Sequence, residues 1–150
     1  MAIDPRRIEL EITERVLLGD DPATLAGLNR LRSLGFRIVL DDFGTGYSSL
    51  GYLQRYPIDK VKIDRTFVAR VGVEEQAEAV VVAIVRLAKA LGMEVLAEGV
   101  ETEAQRVCLN VAGCSDVQGY LTGKPVAADE IDVLIDGRQA NGGNVGKLRA

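Results

Sequence analysis

Short apolar strands alternate with amphipathic helices along this 150-residue chain, and the alternation predicts an α/β fold on a parallel sheet. A second observation narrows the class. Each predicted strand ends in polar or charged residues: Glu11, Asp41 with Asp42, Lys62, Glu98 and Gln118. In a parallel sheet such ends share one face, which is where a (β/α) barrel keeps its active site. A closed barrel needs eight units. The five found here predict a partial TIM-like (β/α) barrel.

The elements follow in order. Residues 8–12 read as the first strand. Asp20-Asp21-Pro22 then supplies an N-cap and a first-turn proline, with Leu25, Leu28, Leu31 and Leu34 at helical spacing and Gly35 as the stop. Residues 36–40 form the second strand and lead into DDFGTG. Residues 47–55 look helical and end before Pro57. KVKID carries the third strand. The longest helix spans residues 74–91, and Gly92 ends it. A fourth strand at 93–97, a helix at 102–112, a fifth strand at 116–121 and a helix at 127–135 complete the series. The glycine- and asparagine-rich residues 136–150 are expected to form a flexible tail after a single domain over 3–135.

Composition removes several function classes. A net charge of −4 argues against a nucleic-acid polymer as partner, because phosphate backbones need clustered Lys and Arg. No apolar run approaches the roughly 18 residues of a membrane span, and MAIDPRRIELEITE lacks the apolar centre of a signal peptide. The chain has no histidine, which excludes Ser-His and Cys-His chemistry. Its two cysteines, Cys108 and Cys114, are too few for a zinc site and read as reduced thiols in a cytoplasmic setting. Chemistry must then run on carboxylates, lysine and a metal ion.

Strand alternation places Glu9 with Glu11 and Lys60 with Lys62 on one face, turned toward the barrel axis, while Leu10, Ile12, Val61 and Ile63 face outer helices. Buried charges are costly unless paired or bound to a cation. For Glu9 and Lys60, deeper in their strands, a structural ion-pair network is the expectation. Asp41 and Asp42 are a different case. Neighbouring strand residues point apart, so both reach one site only if the backbone leaves the strand, a turn that Gly44 and Gly46 permit. Oxygen-only donors suit hard cations such as Mg²⁺ or Mn²⁺. A solvated turn is the bland alternative.

ELEITE (9–14), DDFGTGYSSL (41–50), KVKIDRTFV (60–68), AEGVET (97–102) and QGYLTGKP (118–125) resemble, in order and in spacing, the successive motifs of the EAL domain family. The likeness runs over about residues 3–135. That family comprises bacterial cyclic di-GMP phosphodiesterases with a modified TIM barrel, which hydrolyse their substrate to linear pGpG with two metal ions. The resemblance implies that Glu11, Asp41 and Asp42 bind metal, with Asp41 bridging the pair. Glu98 would be the general base, Lys62 would hold the attacking water or developing charge, and Gln118 would orient water or ligand. Glu14 would tie down the loop of Gly44, Thr45 and Gly46, which in this family also takes part in dimer contacts, and Glu101 would support the site.

The family's Glu-Ala-Leu motif, with an arginine after one further residue, is absent, as is the asparagine ligand of its third strand. In family terms the chain begins just before the fourth strand and holds about the last five βα units. Two readings stay open. One is the C-terminal part of a cyclic di-GMP phosphodiesterase, itself with little or no hydrolysis. The other is a non-catalytic module acting through cyclic di-GMP binding or dimerisation. An open sheet edge leads us to expect a homodimer or a domain-swapped assembly.

Overall fold

In a computed structural model, which describes residues 3–19, 21–44 and 50–131, the chain forms one five-stranded parallel sheet in sequential order. Its strands are β1 (Glu9–Thr13), β2 (Arg37–Phe43), β3 (Lys60–Ile63), β4 (Glu94–Ala97) and β5 (Asp116–Val117). The helices are α1 (Glu14–Leu18), α2 (Pro22–Ser33), α3 (Leu50–Arg55), α4 (Arg65–Val68), α5 (Glu75–Ala90) and α6 (Glu103–Ala112). Sequential order with helical crossovers is the arrangement of a barrel wall, so the α/β, partial-barrel expectation holds.

Local chemistry explains the boundaries. The Asp21 carboxylate accepts from the Ala23 N–H and caps α2 ahead of Pro22. Thr102 and Gln105 form a reciprocal capping box at the start of α6. Two short helices, α1 and α4, were not foreseen. The second carried a signal, since the Asp64 side chain caps it through the Thr66 N–H.

Two expectations change. The fifth strand is two residues long rather than reaching 121. There Gly119 comes so close to β4's continuation that a methyl group on it would lie 2.3 Å from both the nitrogen and the oxygen of Val100. The chain crosses instead of pairing: the Val100 N–H donates to Gln118 and the Leu121 N–H donates to Val100. Over the last expected helix, 127–135, a 3-10 turn at Ala128–Glu130 leads into helical Ile131, and the rest of that helix lies outside the described residues. The tail, and with it the division at 135/136, lies outside them. The second change concerns the second strand, which runs on through both aspartates.

The core lies between the sheet's outer face and the helices. Ile38, Leu40, Val61, Ile63 and Ala97 are buried against a cluster that includes Val81, Val85 and Ala88 of α5. Each such aliphatic side chain contributes roughly 1.5–3 kcal/mol by leaving water. That packing fixes which residues turn inward. Among the described residues no helix is long and apolar enough to cross a membrane.

Candidate active site

The inner face carries charge at two levels. Toward the N-terminal ends of the strands, Lys60 is buried and its Nζ lies 2.6 Å from Glu9 Oε1 and 3.6 Å from Glu94. Arg37 reaches the same two carboxylates, at 2.8 Å from Glu94 and 3.5 Å from Glu9. This is the structural network expected of Glu9 and Lys60, with Arg37 and Glu94 added by register. Residues Glu9 and Arg37 are paired directly, as are Lys60 and Glu94. A cavity of about 400 Å³ opens at this end, around Arg32, Asp59 and Glu94, with Asp59 bound to Arg32 at 3.0 Å.

Two residues further along β3, Lys62 meets a different set. Its Nζ lies 2.6 Å from Glu98 Oε1, 2.9 Å from Glu11 Oε1 and 3.1 Å from Asp41 Oδ1. Burial alone would push the ammonium toward its neutral form, but the hydrogen bonds to Glu98, Glu11 and Asp41 outweigh it and raise its pKa. Burial also raises the pKa of Glu98; its bond to Lys62 opposes the shift, and the Asp41 and Glu11 charges add to it. One ammonium shared by three carboxylates cannot fully compensate any of them.

Asp41 and Asp42 reach this site by a route other than the predicted one. The β2–β3 register shifts between Leu40 and Phe43, and Asp42 has φ 55, in the left-handed region. The chain therefore bulges at Asp42 itself, inside the strand, rather than first turning at the glycines. Gly44 then continues at φ 97, where a methyl group would lie 2.9 Å from the Phe67 ring. The Gly44 N–H donates to Glu14 Oε1 at 3.0 Å, so α1 is joined to the loop's first residues. Thr45 and Gly46 lie outside the described residues.

The bulge brings carboxylate oxygens of Asp41, Asp42 and Glu98 within 4.8 Å of one another, a group able to hold a metal ion. Glu98, the expected base, stands in that group; Glu11, an expected ligand, stands on Lys62. Gln118 is set beside them by its backbone, which donates to Ala97 O and accepts from the Val100 N–H. Glu101 is exposed and lines a cleft of about 490 Å³ with Arg65, Thr66, Gln105 and Tyr120. Asp64, the cap of α4, directly follows β3.

The EAL domain family matches residues 1–125. The chain belongs to the EAL domain family. MucR of Pseudomonas aeruginosa, a bifunctional diguanylate cyclase/cyclic di-GMP phosphodiesterase, is 43% identical over 87% of this chain and 19% of its own length. RocR, a cyclic di-GMP phosphodiesterase from the same organism, is 43% identical over 83% of this chain and 32% of its own length. This EAL chain thus spans less than a third of these curated relatives. Among solved structures, the MucR phosphodiesterase in complex with cyclic di-GMP superposes with a TM-score of 0.81 at 43% identity, covering 86% of this chain and 52% of that one. BlrP1 of Klebsiella pneumoniae, solved with manganese and cyclic di-GMP, gives 0.76 at 34% identity, covering 82% and 31%.

Proposed function

We propose that this chain is the C-terminal part of a cyclic di-GMP phosphodiesterase, an enzyme that hydrolyses cyclic di-GMP to pGpG with Mg²⁺ or Mn²⁺. The observation that carries the reading is the convergence of Glu11, Asp41 and Glu98 on one buried lysine, with Asp42 grouped beside Asp41 and Glu98. The donor set fits the group: these are carboxylate oxygens with no thiol or imidazole among them, the chemistry of a hard divalent cation. Glu11, Asp41 and Asp42 would hold the ions. When bound, such ions neutralise phosphodiester charge, acidify a water and stabilise the leaving oxygen.

The chain's own residues do the rest. Glu98, whose pKa burial raises above the ordinary carboxylate value, is the stronger base for it and is placed to accept the proton of an attacking water. Lys62 supplies positive charge to the phosphorane-like transition state without acting as a nucleophile. Gln118 orients water or ligand, and Glu14 fixes the start of the loop through Gly44, with Glu101 in support at the cleft.

Replacing the corresponding segment of the MucR phosphodiesterase with this chain tests the reading. Mg²⁺-dependent conversion to pGpG is expected of the chimera, with a loss of at least 100-fold, roughly, on Glu98→Gln. An inactive but folded chimera would sink it. A second reading, a cyclic di-GMP-binding or dimerisation module, is favoured by β1 and β5, which form the two edges of the sheet among the described residues. A homodimer or domain-swapped assembly belongs to that reading, and a monodisperse monomer in sedimentation would count against it. For the 150-residue chain by itself, little or no turnover is expected.

A further inference from the structure

We propose that Lys62 is a resident counter-cation, which holds the acidic cluster together without metal and gives way when divalent ions bind. The proposal rests on the metal reading above and deepens it. An ammonium has three N–H donors, and Lys62 has three carboxylate partners, Glu98, Glu11 and Asp41, at 2.6, 2.9 and 3.1 Å. Each donor is matched to one acid from a different strand or strand end. In this state Lys62 has nothing left to offer a phosphate.

The partners also show why the state must change. Asp41 and Glu98 are two of the three acids whose oxygens lie within 4.8 Å of one another. A divalent ion seated on those oxygens would lie close to Nζ, and two cations at such a distance repel strongly in a site where the lysine is only 6% exposed. The ammonium must then release at least one carboxylate. The N–H so freed would be available to an anion bound at the site. Lys62 would thereby change from a brace for carboxylates into a donor available to phosphate.

The test uses the chain as it is, with Mg²⁺ and Mn²⁺ alone as probes. Without metal, the Lys62 ammonium should give a slowly exchanging side-chain ¹⁵N NMR signal, and Mg²⁺ should shift it or speed its exchange. The Lys60 signal, bound to Glu9 and Glu94, serves as the internal reference and should stay put. Lys62→Met should bind Mn²⁺ about tenfold more tightly by electron paramagnetic resonance, since a competing charge is gone. The same variant should melt earlier without metal and recover with it. Unchanged or weaker Mn²⁺ binding in a folded Lys62→Met would overturn the counter-cation, as would an NMR signal indifferent to bound Mg²⁺. The wild-type measurement decides the matter if the variant fails to fold. Absence of binding to either protein would overturn the metal site along with it.

Discussion

The two charged levels of the sheet are built from neighbouring positions on the same strands, yet their balance differs. At the lower level Lys60 and Arg37 face Glu9 and Glu94, two cations for two acids. At the upper level, among the described residues, Lys62 faces Glu11, Asp41 and Glu98, with Asp42 alongside. Backbone geometry differs too. The lower level sits on regular strands, whereas the upper includes a register shift and a residue at φ 55. A balanced network completes itself and needs regular strands only. An acid-rich one, held partly by a strained residue, stores unfavourable energy that a bound cation can relieve. That contrast separates a structural cluster from a candidate catalytic one where residue types alone do not.

The contrast can be broken first at the lower level. Lys60→Met removes the buried partner of Glu9 and should cost about 3 kcal/mol or more, measured by denaturant unfolding. Added Mg²⁺ should leave most of that loss in place, because Arg37 still pairs both Glu9 and Glu94 and leaves no set of free carboxylates to hold an ion. Recovery by Mg²⁺ would erase the distinction between the levels.

A pH scan sharpens it next. Lys62 has a raised pKa, so its contribution to stability persists below its ordinary value of 10.5 and fades only as pH rises through the higher folded value. Cys114 is buried behind β4 and β5, and burial pushes its thiol from 9.0 up to about 11. Its folded pKa also exceeds the unfolded one, so its contribution is complete below pH 9.0 and is lost as pH rises toward about 11. The loss amounts to about 3 kcal/mol. Unfolding free energies of Cys114→Ala should be flatter over that window. A slope as steep as the parent's would assign the alkaline loss to Lys62 instead.

The smallest effect probes the bulge. Asp42→Gly relaxes a left-handed residue and should change stability by only about 0.5 kcal/mol, in the favourable direction. Mn²⁺ binding should weaken by about tenfold with the loss of one carboxylate. A variant that binds Mn²⁺ as well as the parent would remove Asp42 from the site. A destabilised variant would show that its side chain, not its backbone, holds the turn.

Much of this was legible in the chain because the signals are local. Asp21-Pro22 set the start of α2, the spacing of Leu25, Leu28 and Leu31 set its inward side while Leu34 at its end is exposed, and period-two alternation put Glu9, Glu11, Lys60 and Lys62 on one face. Less legible was anything set by distance in space. Arg37 and Glu94 give no sign in the sequence that they complete the Lys60 network; strand register brings them there. The fifth strand, expected over 116–121, is shorter, at Asp116–Val117. The close approach of Gly119 to Val100 ends it, and no propensity encodes that contact.

The sequence by itself determined the alternation of elements, the face on which each charge stands and the family to which the chain belongs. Those depend on short-range periodicity and on motif spacing. Tertiary structure decided how the charges are shared. It matched three donors of Lys62 to three acids, turned Asp42 back toward Asp41 through a bulge, and placed Glu98 in the metal-capable group while Glu11 stayed on the lysine. Such assignments follow from distances of a few ångströms between residues far apart in the chain, where electrostatic energy changes steeply.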